Sequence, residues 1–585
     1  MDCPVNANNN KSINGQCSFD FDMLREWLQT CLSYDQVKHL SSEFASLNSN
    51  KERFKFCQQS KPVNSYVDHV IRTNNMLSPL YFSKNVDEST LCRDEGITLY
   101  RKHNLNEALR KFSKAILIAP PSSIELLKGY ANRSACLFEM GHYSECVADI
   151  NTATQLKTSI SSDMKARLEN RLLRCKQLMP SLNASTSDSS SDGVSSLTII
   201  EELCRHRTRV NMLGLRESVS LVANDNDHYG RYIRANRDIK PGEIILVEKA
   251  FASNVISDYF DHYCDNCFEY LPLRFEVCEH CRNVVYCTSE CRSKAWIDHH
   301  NLECAILGRH IHNVVSPMKH LALRAAIYSN FQKSNEYKLI KSLRGNDESR
   351  TKTDLFWRSC VALYLFRIIS DSLDRKCSSS KLGVRILNHM LTFPCNAHEL
   401  IFFWPPSYDE QRNGKGICEM VQHECGAGIF YFLSMFNHSC NPSENRFLIN
   451  IHFSNMQNSN REERQDALYE QYKFKCQCTA CIENWAMITE LSEQDPPKCT
   501  QSECSICRRL DRIAKTDIIL CSKMLIDNTI AEREKHNAAW IIKTLTDFIS
   551  ECDDHIQLPW FSFCRAQEAL KQCFNCLTNK MVLDL

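Results

Sequence analysis

Eight potential metal ligands fall between residues 264 and 304: Cys264, Cys267, Cys278, Cys281, Cys287, Cys291, His300 and Cys304. Two Cys-x2-Cys pairs, one Cys-x3-Cys pair and a closing His-x3-Cys are enough for two closed tetrahedral zinc sites, one of four thiolates and one of three thiolates plus an imidazole. The x2 pairs suit the tight turn of a zinc knuckle. Cys287 with Cys291, and His300 with Cys304, are four apart and project from one face of a helix. The competing use of paired cysteines is a disulfide scaffold. Metal-ligand spacing disfavours it, as does a polar N-terminus without the apolar run of a secretion signal, from which a reducing compartment is expected. The window reads as a metal domain.

The 585 residues are long enough for about three or four domains. Formal net charge is zero, so no global electrostatic pull toward nucleic acid or anionic membrane is indicated, and direct nucleic-acid binding is not expected. No stretch approaches the roughly 18 uninterrupted apolar residues of a membrane span. A monomer in nucleus and cytoplasm is the expectation.

Residues 19–47 carry apolar side chains at helical spacing (Phe21, Leu24, Trp27, Leu28, Cys31, Leu32), which predicts an amphipathic helix or two. Gly96, Leu99, Ala108, Phe112, Ala115 and Pro120 then fall at the offsets of a tetratricopeptide helical pair, where small residues let antiparallel helices approach and the proline stops the second. Ser134, Leu137, Cys146, Ile150 and Ala153 repeat that register, and a third helix over about 162–178 caps them. Residues 180–196 are serine-rich and read as a linker. Beyond it, Tyr232, Ile233, Ile239 and the run Ile244 to Val247, with the turn Lys240-Pro241-Gly242-Glu243, predict short strands. Apolar residues at helical spacing recur from about 317 to 391 and again through most of the last hundred residues.

Other motifs sit outside the metal window. Gly230-Arg231 follows Tyr229; Cys395-Asn396-Ala397-His398 comes later; Asn437-His438-Ser439-Cys440 precedes Asn441-Pro442; and Cys476, Cys478 and Cys481 form Cys-x-Cys-x2-Cys just after Tyr472 and Phe474. That triplet with Cys440 offers four thiolates for a third zinc. Alone, an Asn-His pair is most often a turn or cap, and Gly-Arg an ordinary turn. Their combination carries the signal.

Taken together, the metal window resembles a MYND finger, the Gly230-Arg231 segment the opening of a SET domain, the Asn437 segment that domain's second signature, and the cysteine triplet its post-SET closure. The whole resembles the SET-and-MYND-domain protein-lysine methyltransferases, specifically the member with N-terminal tetratricopeptide repeats. In the finger of that family the pairs interleave: Cys264, Cys267, Cys287 and Cys291 hold one ion, and Cys278, Cys281, His300 and Cys304 the other. His299 is the alternative to His300, which is preferred for its x3 step to Cys304.

The implied fold is α+β and multidomain. It runs as an N-terminal helical region (1–87), repeats (88–179), linker (180–197), the first part of SET (198–263), finger (264–304), helical insert (305–395), a shortened second part of SET (396–460), post-SET (461–483) and a helical C-terminal region (484–585). The implied activity is methyl transfer from S-adenosyl-L-methionine to a lysine of a histone or non-histone protein. Tyr229, Gly230 and Arg231 would line the methionine part of the donor, and Asn396 its carboxylate or ribose. Asn437 and His438 would fix its two ends, and Tyr472 and Phe474 border its adenine. Three zinc ions and peptide partners of the finger and repeats complete the expectation.

One departure stands out. Only eleven residues separate Asn441 from Phe453, too few for the family's strand-turn-strand, and Phe453 aligns with a tyrosine whose hydroxyl borders the transfer channel. Weakened catalysis, or a non-catalytic adaptor built on finger and repeats, is the consequence. Cys499, Cys504, Cys507, Cys573 and Cys576 are weaker candidates for a fourth metal site. The linker predicts that the repeats are a tethered recruiting module, separate from the chemistry.

Overall fold

A computed structural model of the chain describes residues 21–76, 83–156, 158–182, 215–223, 230–239, 243, 245–246, 248–312, 314–331, 335–370, 380–404, 421–440, 460–498, 505–526 and 535–578. The serine-rich stretch 183–197, the Lys240-Pro241-Gly242 turn, Tyr229 and Phe453 lie outside them. The chain divides into two compact units. One comprises Met1–Ser191, Val255–Phe331 and Lys352–Leu387, the other Asp192–Asn254, Gln332–Thr351 and Asn388–Leu585.

The first unit begins with four helices, α1 (Phe21–Cys31), α2 (Tyr34–Ala45), α3 (Asn50–Gln59) and α4 (Lys61–Asn75). Ser33 with Gln36 and Ser49 with Glu52 form capping boxes that start α2 and α3, and Pro62 sits in the first turn of α4. Their apolar faces close on the helix Lys352–Ser370, where the Phe44 ring meets Phe356 edge-on at 5.0 Å and Phe54 meets Phe366 at 5.7 Å. A Cβ at Gly383 would lie 1.9 Å from the Phe54 ring, so only glycine fits there. Residues 305–331 and 352–387 belong with the N-terminal helices, because Lys352–Ser370 is apolar on nearly every face and needs cover on several sides.

Next come α5 (Val86–Arg101), α6 (Leu105–Ile118), α7 (Ile124–Glu139), α8 (Tyr143–Gln155) and α9 (Ser162–Leu182), packed as successive hairpins. Asn85, Asn104 and Ser123 cap α5, α6 and α7. The small residues do what the repeat spacing requires, since a Cβ at Gly96 would meet Phe112 at 2.7 Å. Ala108, Phe112, Ala115, Cys146, Ile150 and Ala153 are buried. These hairpins are not a free module. Arg282 donates to both carboxylate oxygens of Glu88 at 2.5 and 2.7 Å, and Arg274 donates to Asp149 at 2.9 Å, tying α5 and α8 to residues 264–304.

In the second unit β1 (Val219–Ala223) pairs antiparallel with β2 (Arg231–Ala235), Val219 opposite Ala235. A second sheet has the order β3-β7-β6, from β3 (Ala252–Val255), β6 (Ala397–Trp404) and β7 (Val421–Ile429). The β6/β7 ladder carries a register irregularity between Leu400 and Ile401. The C-terminal helices, among them Ser505–Ile513, Lys535–His555 and Phe561–Thr578, share an apolar core that includes Cys507 and Cys573. Those two thiols pack as small apolar groups. No helix among the described residues is long and apolar enough to cross a membrane.

Candidate metal centres and donor-side cluster

The finger has almost no core of its own, only the two-residue strands β4 (Glu276–Val277) and β5 (Val285–Tyr286) and the short helix Ser289–Ala295. Its ligands converge instead. Cys264, Cys267, Cys287 and Cys291 have all ligand atoms within 4.8 Å of one another, as do Cys278, Cys281, His300 and Cys304, and a third group, Cys440, Cys476, Cys478 and Cys481. Sulfur separations of 3.5 Å for Cys267–Cys287, 3.8 Å for Cys278–Cys304 and 3.5 Å for Cys440–Cys481 decide between metal and disulfide. A disulfide needs about 2.05 Å, whereas tetrahedral zinc with Zn–S near 2.3 Å spaces its sulfurs about 3.8 Å apart. All twelve residues assigned to zinc are thus brought together in the three groups of four that were expected.

His300 belongs to the second group, its Nε2 lying 3.2 Å from Cys278 Sγ and 3.6 Å from Cys281 Sγ. It ends a single π-helical turn, Trp296–His300. His299 faces elsewhere, with Nε2 3.2 Å from Asp265 and Nδ1 3.2 Å from the Tyr328 hydroxyl. Asp265 in turn binds Arg324 at 3.0 Å, and Arg324 binds Glu303 at 2.6 Å, all three buried. Asn266 donates to Cys291 Sγ and the His280 amide to Cys278 Sγ, hydrogen bonds that spread the thiolate charge. Lys84, just before α5, feels the second group too. Burial lowers its pKa to about 8, against the opposing pull of Cys278, Cys281 and Cys304.

Three of the residues expected on the donor side, Arg231, Asn396 and Tyr472, meet one short loop, residues 342–346, that no motif marks. Arg231 donates to Ser342 Oγ at 2.8 Å and to the Ser342 carbonyl at 2.5 Å. Asn396 Nδ2 donates to the Arg344 and Thr392 carbonyls, both at 2.7 Å. Asn346, held at φ 52°, donates to the Tyr472 carbonyl at 2.9 Å. Ser434 Oγ donates to the Asn396 carbonyl at 2.8 Å, which links that strand end to the turn before Asn437. The His438 ring stands 5.9 Å from Phe474, whose face is 36% exposed, and His438 Nε2 lies 3.2 Å from Cys440 Sγ. Asn437 is exposed, and Gly230 adopts φ 67°, a conformation that favours glycine.

Residues 264–304 match the family described as the MYND finger. The chain is 22% identical to the protein-lysine N-methyltransferase SMYD4 of Mus musculus over 77% of its own length and 72% of the relative's. To the same-named protein of Danio rerio it is 22% identical, over 76% and 73%. Together these likenesses support a SET-and-MYND family member. A plant relative, the histone-lysine N-methyltransferase ASHR1 of Arabidopsis thaliana, is 26% identical over 43% of this chain and 53% of its own.

The sequence missed several positioning residues, since Ser342 accepts through its hydroxyl and carbonyl, Arg344 through its carbonyl, and Asn346 donates through its side-chain amide, and the three form no motif. The only available signal was the turn composition of Gly345-Asn346-Asp347. It also missed Glu248, whose carboxylate accepts from the amides of Tyr431, Phe432 and Leu433 at 2.9, 3.1 and 2.9 Å. Burial raises its pKa, although the three amides pull the other way. Glu248→Ala should release the turn leading to Asn437 at a cost of about 1.5–3 kcal/mol. Hydrogen exchange at residues 431–433 should then accelerate at least about tenfold; unchanged exchange would rule out Glu248 as the anchor.

Proposed function

We propose that the chain is an S-adenosylmethionine-dependent protein-lysine N-methyltransferase acting on a histone or non-histone protein, with a SET fold spanning the finger and tetratricopeptide repeats in α5 to α9. The observation that carries it is the Ser342–Asn346 loop, which draws in Arg231, Asn396 and Tyr472 from three distant segments. The bound donor supplies an activated methyl group, so the protein's task is chiefly to position it.

Arg231 and Asn396 act here as struts. Both Nδ2 hydrogens of Asn396 are spent on carbonyls, which leaves its Oδ1 as an acceptor suited to a ribose hydroxyl rather than to a carboxylate. The exposed Asn437 amide contacts the donor, and the Phe474 ring offers a face for adenine. The third zinc closes the site by clamping Cys440, two residues after His438, to the segment that carries Phe474. Lysine must shed a proton from a pKa near 10.4, which a desolvated channel favours.

A second reading, an adaptor without turnover, rests on Phe453, which has no hydroxyl to offer. Calorimetry of the zinc-loaded chain with S-adenosylmethionine should show saturable binding, weakened at least about tenfold in Asn437→Ala. No heat with the wild type would refute the donor site.

A further inference from the structure

In the first unit, a cavity of about 500 Å³ opens between α4, the helix Lys352–Ser370 and the chain just after the finger, where Ala305 and Ile306 follow the ligand Cys304. Its volume is that of a small-molecule site. The charges in its wall are unbalanced. Arg72, Arg309 and Arg367 face one acid, Asp68, a sum of three positive and one negative, or +2, in a chain whose formal net charge is zero.

Asp68 is already committed, accepting from Arg367 at 2.6 Å. Arg72 uses only Nε, on the Asp68 carbonyl at 3.2 Å. Arg309 has no acid or hydrogen-bond partner among the described residues, although it is half-buried. It stands in a second single π-helical turn, Leu307–Ile311, and such turns cluster at functional sites because they re-aim side chains.

The neighbouring wall is fixed. Burial, with Arg309 beside it, pushes the His310 pKa down to about 4, so the ring is neutral at physiological pH. Its Nε2–H donates to Asn75 Oδ1 at 3.0 Å, and its Nδ1 accepts from the Tyr364 hydroxyl at 3.0 Å. Ile71, Ile306 and Ile368 make the apolar part of the lining. A cavity with two guanidiniums holding spare donors and a surplus of two positive charges matches a dianion whose oxygens accept forked hydrogen bonds.

We propose that this cavity is a binding site for a phosphate monoester, gripped by Arg72 and Arg309 with Arg367 completing the cage. A phosphorylated side chain and a free small phosphate compound share that chemistry, and titration separates them. The zinc-loaded full chain is titrated with inorganic phosphate, with O-phosphoserine and with a short peptide containing phosphoserine. Saturable binding is expected, weakened about tenfold in Arg309→Gln and in Arg72→Gln, with zinc content and melting temperature unchanged. Arg72 is exposed, so its variant keeps the test alive if Arg309→Gln misfolds. Tighter binding of the peptide than of O-phosphoserine identifies a phosphorylated partner; equal binding identifies a free phosphate compound. The proposal is overturned if none of the three probes saturates, if both variants bind as the wild type does, or if acetate displaces phosphate at equal concentration.

Discussion

Removing zinc with a strong chelator should unfold residues 264–304 and abolish the proposed donor binding in the same step. The finger owns only two-residue strands and one short helix, so its eight ligands do the work of a core. Structural zinc contributes about 10–16 kcal/mol in isolated fingers, far more than any single contact in the chain. Loss of the third ion frees Cys440 from Cys476, Cys478 and Cys481, and with it the approach of His438 to Phe474. Elemental analysis of the purified chain should return three ions. Limited proteolysis after chelation should cut within 264–304, and calorimetry should register no S-adenosylmethionine binding. One ion or none, or a chelated chain that resists protease as before, contradicts the metal assignment.

Arg324→Met should be the most damaging single substitution outside the ligands. The guanidinium is fully buried and binds both Asp265 and Glu303. Burial alone would raise the Asp265 carboxyl, yet Arg324 and His299 hold it at about 2. Asp265 follows a ligand of the first zinc group and Glu303 precedes a ligand of the second, so this one side chain braces both. Removing it strands two buried carboxylates at a cost of about 3–5 kcal/mol. Thermal unfolding should show a destabilised finger, and adding Asp265→Asn and Glu303→Gln should recover part of the loss by deleting the stranded charges. A melt within about 0.5 kcal/mol of the wild type would show that Arg324 is dispensable.

The finger was legible in the sequence because its ligands are local. Spacing named all eight and favoured His300 over His299 by its x3 step to Cys304, their interleaving followed from the family resemblance, and the structure agrees, with His300 in the second group and His299 turned to Asp265. The repeats were legible as helices for the same local reason. Their docking was not, since Glu88 and Arg282 are 194 residues apart and each looks like an ordinary surface charge in sequence. Arg282 and Arg274 bind the hairpins to the finger, a contact that the expectation of a separate recruiting module did not include. The donor side was visible only through its motif residues. Ser342, Arg344, Asn346 and Glu248 position those residues through backbone contacts, which leave no pattern to read. Tyr229 and Phe453 lie outside the described residues, and their proposed places rest on sequence alone.

The most direct measurement is transfer of labelled methyl from S-adenosylmethionine to protein, read as methyl-lysine in acid hydrolysates after incubation with core histones and with fractionated cell protein. The account predicts slow incorporation by the zinc-loaded chain, none by Asn437→Ala, and a rise on the order of a hundredfold in Phe453→Tyr, the size expected for restoring one preorganised hydrogen-bond donor. Donor binding without methyl-lysine in any fraction, from the wild type and from Phe453→Tyr alike, would contradict it and leave the adaptor reading in its place.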